Sequence, residues 1–190
     1  MKRFIIAALT LIMVLSLTAC AKDETETSEA TTVSESTTVE TTYLSGAFSE
    51  KDLFFQYEGQ GFGLLSDVSV LLAAMGDGYE EKAAPSCTFV GEDKSFIYPG
   101  LEIRTNPIDG KDLINEIIVT GEDFVTPRGI RIGDTREALI TAYGKGFEDQ
   151  GLITYVLSGV FEEYESDRMF ISIKDGKVEY ISYFSGVSFR

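Results

Sequence analysis

Four carboxylates crowd one short stretch, Glu162, Glu163, Glu165 and Asp167, and their spacing admits two chemistries. Paired acids could cleave a glycosidic bond, one donating a proton while the other serves as base or nucleophile. Clustered carboxylate oxygens could instead cage calcium. Two features weigh against both. A strand through this stretch puts Glu162 and Glu163 on opposite faces, and the spaced Asp-x-Asp-x-Asp-Gly pattern of a calcium loop does not occur. A solvated, charged strand edge that discourages aggregation is the reading adopted.

Other chemistry is thinner still. The chain has no histidine, which removes the commonest general base, the commonest metal ligand and every Ser-His or Cys-His nucleophile pair. Cys87 has no cysteine partner after Cys20, and a lone strand cysteine is expected to be a buried small hydrophobe. The repeated Gly76-x-Gly78 and Gly144-x-Gly146 look like phosphate cradles, but each is placed to close a helix. A phosphate site must open one, where the dipole is positive, so they read as turns. No catalytic residue, metal ligand or cofactor site is expected, and the chain reads as noncatalytic.

The elements behind these residues come in two copies. Gly61 to Glu81, shifted by 68 with no gap, matches Gly129 to Asp149 at Gly61/Gly129, Leu71/Leu139, Ala74/Ala142, Gly76/Gly144, Gly78/Gly146 and Glu80/Glu148. Each copy predicts a helix of two to three turns. Ser66 and Asp134 are the expected N-caps, with Glu137 at the capping-box position in the second copy. Leu71, Leu72 and Met75, like Leu139, Ile140 and Tyr143, form one apolar stripe. Gly76 and Gly144 stop the helices. Helices this short are marginal alone, so each stripe must cover a sheet.

Strands are expected at 86–90, 94–98, 101–105 and 113–119 after the first helix, and at 152–157, 160–164, 169–173 and 178–184 after the second. Turns at Pro99-Gly100, Asp109-Gly110, Ser158-Gly159 and Asp175-Gly176 separate them. Phe54 to Tyr57 could add a strand, and Thr120 to Pro127 joins the two units. The fold class is therefore α+β: two tandem repeats, 44–125 and 126–190, each a short helix followed by a four-stranded antiparallel sheet. Period-2 alternation implies that the helices cover one face only. Tyr side chains left on the open face would form a recognition surface.

Of the formal charge of −15, the domain takes the larger part: residues 51–190 hold 13 of the 16 basic and 24 of the 31 acidic side chains. Such a surface repels nucleic acid, whose phosphates demand clustered Lys and Arg. Its electrostatic complement is a cationic partner, with plain solubility as the blander explanation.

Met1-Lys2-Arg3 is a basic start, and Phe4 to Leu17 is an apolar run too short for a comfortable membrane span. Leu17-Thr18-Ala19-Cys20 follows and resembles the bacterial lipobox. That resemblance implies a signal peptide over 1–19, cleavage before Cys20 and lipid on its sulfur, so that the chain is anchored to the outer face of the cell membrane and does not span it. From Asp23 to Thr42, 17 of 20 residues are Ser, Thr, Asp or Glu. Such a composition cannot build a core, so 20–43 reads as a lipidated cysteine and a disordered tether. Its root-mean-square reach is about 25 Å.

An exported chain of tandem helix-plus-four-strand units looks like the β-lactamase-inhibitor-protein fold, whose two units embrace a partner protein. The overlap is in unit order over about residues 54–190. The chain carries no second intradomain cysteine for a disulfide and no recognisable inhibitory loop. Ala84-Pro85-Ser86-Cys87, Asp93 to Tyr98 and Thr126 to Gly133 are also similar to segments of uncharacterised surface lipoproteins of Gram-positive bacteria. Ile132-Gly133-Asp134-Thr135 with Tyr143-Gly144 resembles the helix start of small lipoproteins that assist outer-membrane protein assembly. The expected role is capture of a protein partner through an exposed sheet face. The alternatives are an extracytoplasmic assembly or structural factor and, behind both, a wall glycan hydrolase working through carboxylates.

Overall fold

The computed structural model describes residues 46–189. The expected signal peptide, Cys20 and the tether lie outside the described residues. Those described build an α+β unit of ten antiparallel strands and two α-helices. In chain order they are β1 (Phe55–Tyr57), β2 (Gln60–Phe62), α1 (Val68–Met75), β3 (Glu80–Pro85), β4 (Glu92–Tyr98), β5 (Leu101–Ile108), β6 (Lys111–Val119), α2 (Arg136–Tyr143), β7 (Phe147–Asp149), β8 (Leu152–Val156), β9 (Arg168–Lys174) and β10 (Lys177–Phe184). Short 3-10 turns, Glu50–Leu53 and Gly186–Phe189, flank them.

β1 and β2 form a hairpin, and the other eight strands form one sheet in the order β3-β4-β5-β6-β10-β9-β8-β7. The expectation of a separate sheet for each helix is thereby corrected. At the junction β6 pairs with β10, setting Ile117 opposite Tyr183 and Val119 opposite Ile181. All four are buried, so apolar burial that two separate four-stranded sheets would leave at their edges is completed across this seam.

Both helices lie where the repeated segment puts them, with their caps one residue later than expected. The Asp67 carboxylate accepts from the Ser69 N–H, and the Thr135 hydroxyl accepts from the Ala138 N–H. Asp134 spends its carboxylate on the Arg131 N–H instead, while Ser66 donates its hydroxyl to the Gly63 carbonyl. Leu71 and Leu139 are wholly enclosed, joining Ile103, Ile117, Ile171 and Ile181 in one core. Full burial of each leucine stabilises by about 1.5–3 kcal/mol, which is what holds eight-residue helices in place. Leu53, Phe55 and Phe62 join the same core, so the first 3-10 turn and the hairpin cover this face together with the helices.

Two expected strands are loops. Residues 86–90 turn because the Ser86 hydroxyl accepts from the N–H groups of Thr88 and Phe89, donors that a ladder would need. Residues 160–164 close local turns, Glu163 N–H to Val160 and Ser166 N–H to Glu163. The edge places fall to β3 and β7, both exposed along their whole length. The Asp109-Gly110 and Asp175-Gly176 turns behave as expected. Each holds both central residues at positive φ, 51° and 74° in one and 51° and 75° in the other, the requirement of a tight two-residue hairpin that Gly satisfies without strain.

Candidate functional site

The sheet face away from the helices has two unlike halves. Antiparallel partners share a face, so the pairing register places Arg104, Glu116, Phe184 and Arg168 in one row, and Glu102, Ile118, Ser182 and Phe170 in the next. Over β5 and β6 this face is polar. Arg104 bridges Glu102 at 2.7 Å and Glu116 at 2.9 Å, and the Ser182 hydroxyl donates to the inner oxygen of Glu116 at 2.6 Å. The Arg104 pKa is raised, chiefly by its hydrogen bond to Glu102.

Over β8, β9 and β10 the same face is aromatic. Phe170 and Phe184 lie 6.0 Å apart between ring centres and, with Tyr180 and Leu152, form the floor of a groove of about 420 Å³. Phe161, Tyr164 and Phe189 wall it. Tyr164 and Phe189, 6.1 Å apart, are each 54% exposed. Large aromatics left facing water on a sheet are the feature that needs a reason.

Two neighbouring residues hold the walls. Arg168 is 3% exposed and donates to the carbonyls of Phe161, Glu163 and Ser166, fixing the loop that carries Phe161 and Tyr164. It also sits 5.5 Å from the centre of the Tyr164 ring, a cation-π distance, and burial pushes its pKa below the ordinary value. Asp167 accepts from the Ser185 hydroxyl and the Gly186 N–H, fixing the turn that carries Phe189. The groove is thus braced from within its own chain, so little ordering is left for binding to impose.

The residues singled out by sequence scatter. Glu162, Glu163 and Glu165 are exposed on the loop beside Tyr164 and Phe189, not alternating along a strand edge. Cys87 is exposed in the β3–β4 loop, correcting the expectation of a buried strand cysteine. Gly76 and Gly144 end α1 and α2. Among the described residues, no three of His, Cys, Asp and Glu are grouped to hold a metal ion, and no helix is long and apolar enough to cross a membrane. Sequence reasoning anticipated Tyr side chains on an open face but did not single out Phe170, Tyr180 or Phe184. The available signal was that β9 and β10 are apolar on both faces, Met169-Phe170-Ile171 and Tyr180 to Phe184, where β5 places Glu102 and Arg104. The chain matches no protein-family model, no curated protein and no solved structure.

Proposed function

We propose that the protein is a noncatalytic lipoprotein, held at the outer face of the cell membrane through lipid on Cys20, that binds a protein partner through the aromatic groove over β8–β10. The groove itself carries this reading. Aromatic side chains gathered in a water-facing hollow are the usual source of binding energy at protein interfaces, and the Glu116 carboxylate that lines the hollow is committed to Arg104 and Ser182. We further propose that the chain is a doubled unit with a β-lactamase-inhibitor-protein-like arrangement. In support, each helix is followed by four strands, and residues 68 apart take like places, as Leu71 and Leu139 do in the core. A frame that repeats while its open face does not is what a docking role confined to one half would leave.

The test is photocrosslinking in the cells that make the protein, with p-benzoylphenylalanine in place of Tyr180 or, as a control, of Val90, which is 99% exposed away from the groove. A discrete adduct is expected from the Tyr180 position, none from Val90, and loss of the adduct when Phe184→Asp is added. Adducts from both positions alike, or from neither, would defeat the proposal.

A further inference from the structure

Resting on the reading of this face as a docking surface, we infer that its occupant is an extended, basic segment of a partner protein, about five residues long, in which apolar and Lys or Arg side chains alternate. The length follows from the lining, which comes from four neighbouring strands: Glu116 on β6, Tyr180 and Phe184 on β10, Phe170 on β9 and Leu152 on β8. Three inter-strand gaps span about 14 Å, the length of four or five extended residues.

The alternation follows from two adjoining hollows. The floor of Phe170, Phe184 and Leu152 takes apolar groups. Across Tyr164 and Phe189, which line both, a second hollow of about 630 Å³ is lined by Glu162, Glu163 and Glu165. Successive side chains of an extended segment point to opposite sides, so alternate residues reach the floor while those between them leave it and reach Glu162 and Glu163 past the wall of Tyr164 and Phe189. The sign is set by the count of charges. Glu162 and Glu163 are exposed on the rim, while the two arginines of this face are committed, Arg168 to three carbonyls and Arg104 to Glu102 and Glu116. A Lys or Arg at the rim also meets the exposed faces of Tyr164 and Phe189, where a cation is attracted by the ring. An acidic segment would meet repulsion from Glu162 and Glu163, and the domain's excess of acidic side chains strengthens the same preference at a distance.

The test measures binding of the full chain to the acetylated, amidated peptide Leu-Lys-Phe-Lys-Val and to Leu-Glu-Phe-Glu-Val. The Lys peptide is expected to bind saturably and at least about tenfold more tightly than the Glu peptide. Glu162→Gln/Glu163→Gln should weaken it by about fivefold, the combined effect expected of two exposed ion pairs. Glu58→Gln/Glu92→Gln, with the same charge removed from exposed sites away from the groove, should leave it within about twofold. Equal loss in both double variants would reduce the binding to diffuse attraction and overturn the inference. So would a Glu peptide that binds as well as the Lys peptide; if Phe184→Ala weakened it, the docking face would stand while its cationic occupant fell. If neither peptide binds, the inference fails, and the Tyr180 crosslink then decides whether the docking face fails with it.

Discussion

Asp52 and Arg128 make the most demanding pairing in the described chain. Both side chains are almost wholly enclosed, and the guanidinium donates to the two carboxylate oxygens at 2.6 and 2.7 Å. Its remaining donors go to the carbonyls of Gly46, Ala47 and Ala142, so one side chain ties the chain just after the tether to the end of α2. The hydrogen bond to Asp52 is the main reason its pKa is raised. Such a pair adds little over an apolar substitute, but loss of one partner strands a buried charge. Asp52→Ala is therefore expected to destabilise the domain by about 3–5 kcal/mol, and Asp52→Ala/Arg128→Leu by clearly less. Denaturant unfolding measures both, and a double variant no more stable than Asp52→Ala alone would show that burial of charge is not the cost.

At the scale of elements, the two helices end alike. Gly76 (φ 78°, ψ −179°) and Gly144 (φ 76°, ψ −168°) combine positive φ with an extended ψ, a region open essentially to glycine alone. The sequence reading of a left-handed residue is refined accordingly. The carbonyl of each accepts from a tyrosine hydroxyl on the sheet, Tyr98 at 2.8 Å and Tyr155 at 2.9 Å. A Cβ at either glycine meets open space, so Gly76→Ala and Gly144→Ala should each cost about 1–3 kcal/mol through backbone strain alone. Burial pushes both tyrosines up to about 12, against about 10 in an unfolded chain. The folded state then holds more protons, so this stability is complete below about pH 10 and lost as pH rises toward 12. Melting temperature should fall across that window, and fall less in Tyr98→Phe/Tyr155→Phe. An unchanged slope in the double variant would assign the alkaline loss to other groups.

At the scale of the whole molecule, eight strands make one face, and α1, α2 and the first hairpin close only its reverse. The open side is broad because the β6–β10 seam removes two internal edges, and an antiparallel sheet tolerates one face toward water. A binding face of this kind is useful outside a membrane when the domain is held near the bilayer without being inserted. That role falls to Cys20 and the acidic tether in the proposed arrangement. Cys20→Ala should move the chain from the membrane to the soluble fraction with its folding unchanged, since the core is built from residues 53–183. A variant that stays with the membrane would show that another segment holds it there.

Much of the architecture was legible in the residues. Apolar stripes that recur 68 positions apart and end in glycine placed both helices, and the Asp109-Gly110 and Asp175-Gly176 pairs placed two hairpins, because these signals act over a few neighbouring residues. Edge strands β3 and β7 were not legible, since exposed residues on a rim need no apolar pattern and are recruited by the backbone of β4 and β8. The loops at 86–90 and 160–164 have strand-like composition, yet a serine hydroxyl and local turns claimed their backbone donors. Nor could spacing reveal that Arg128 would find Asp52, 76 residues away, or that Phe161, Phe170, Phe184 and Phe189 would line one hollow. Those meetings depend on strand register and on which side of the pleat each residue takes, and only closing the sheet at the seam settles them.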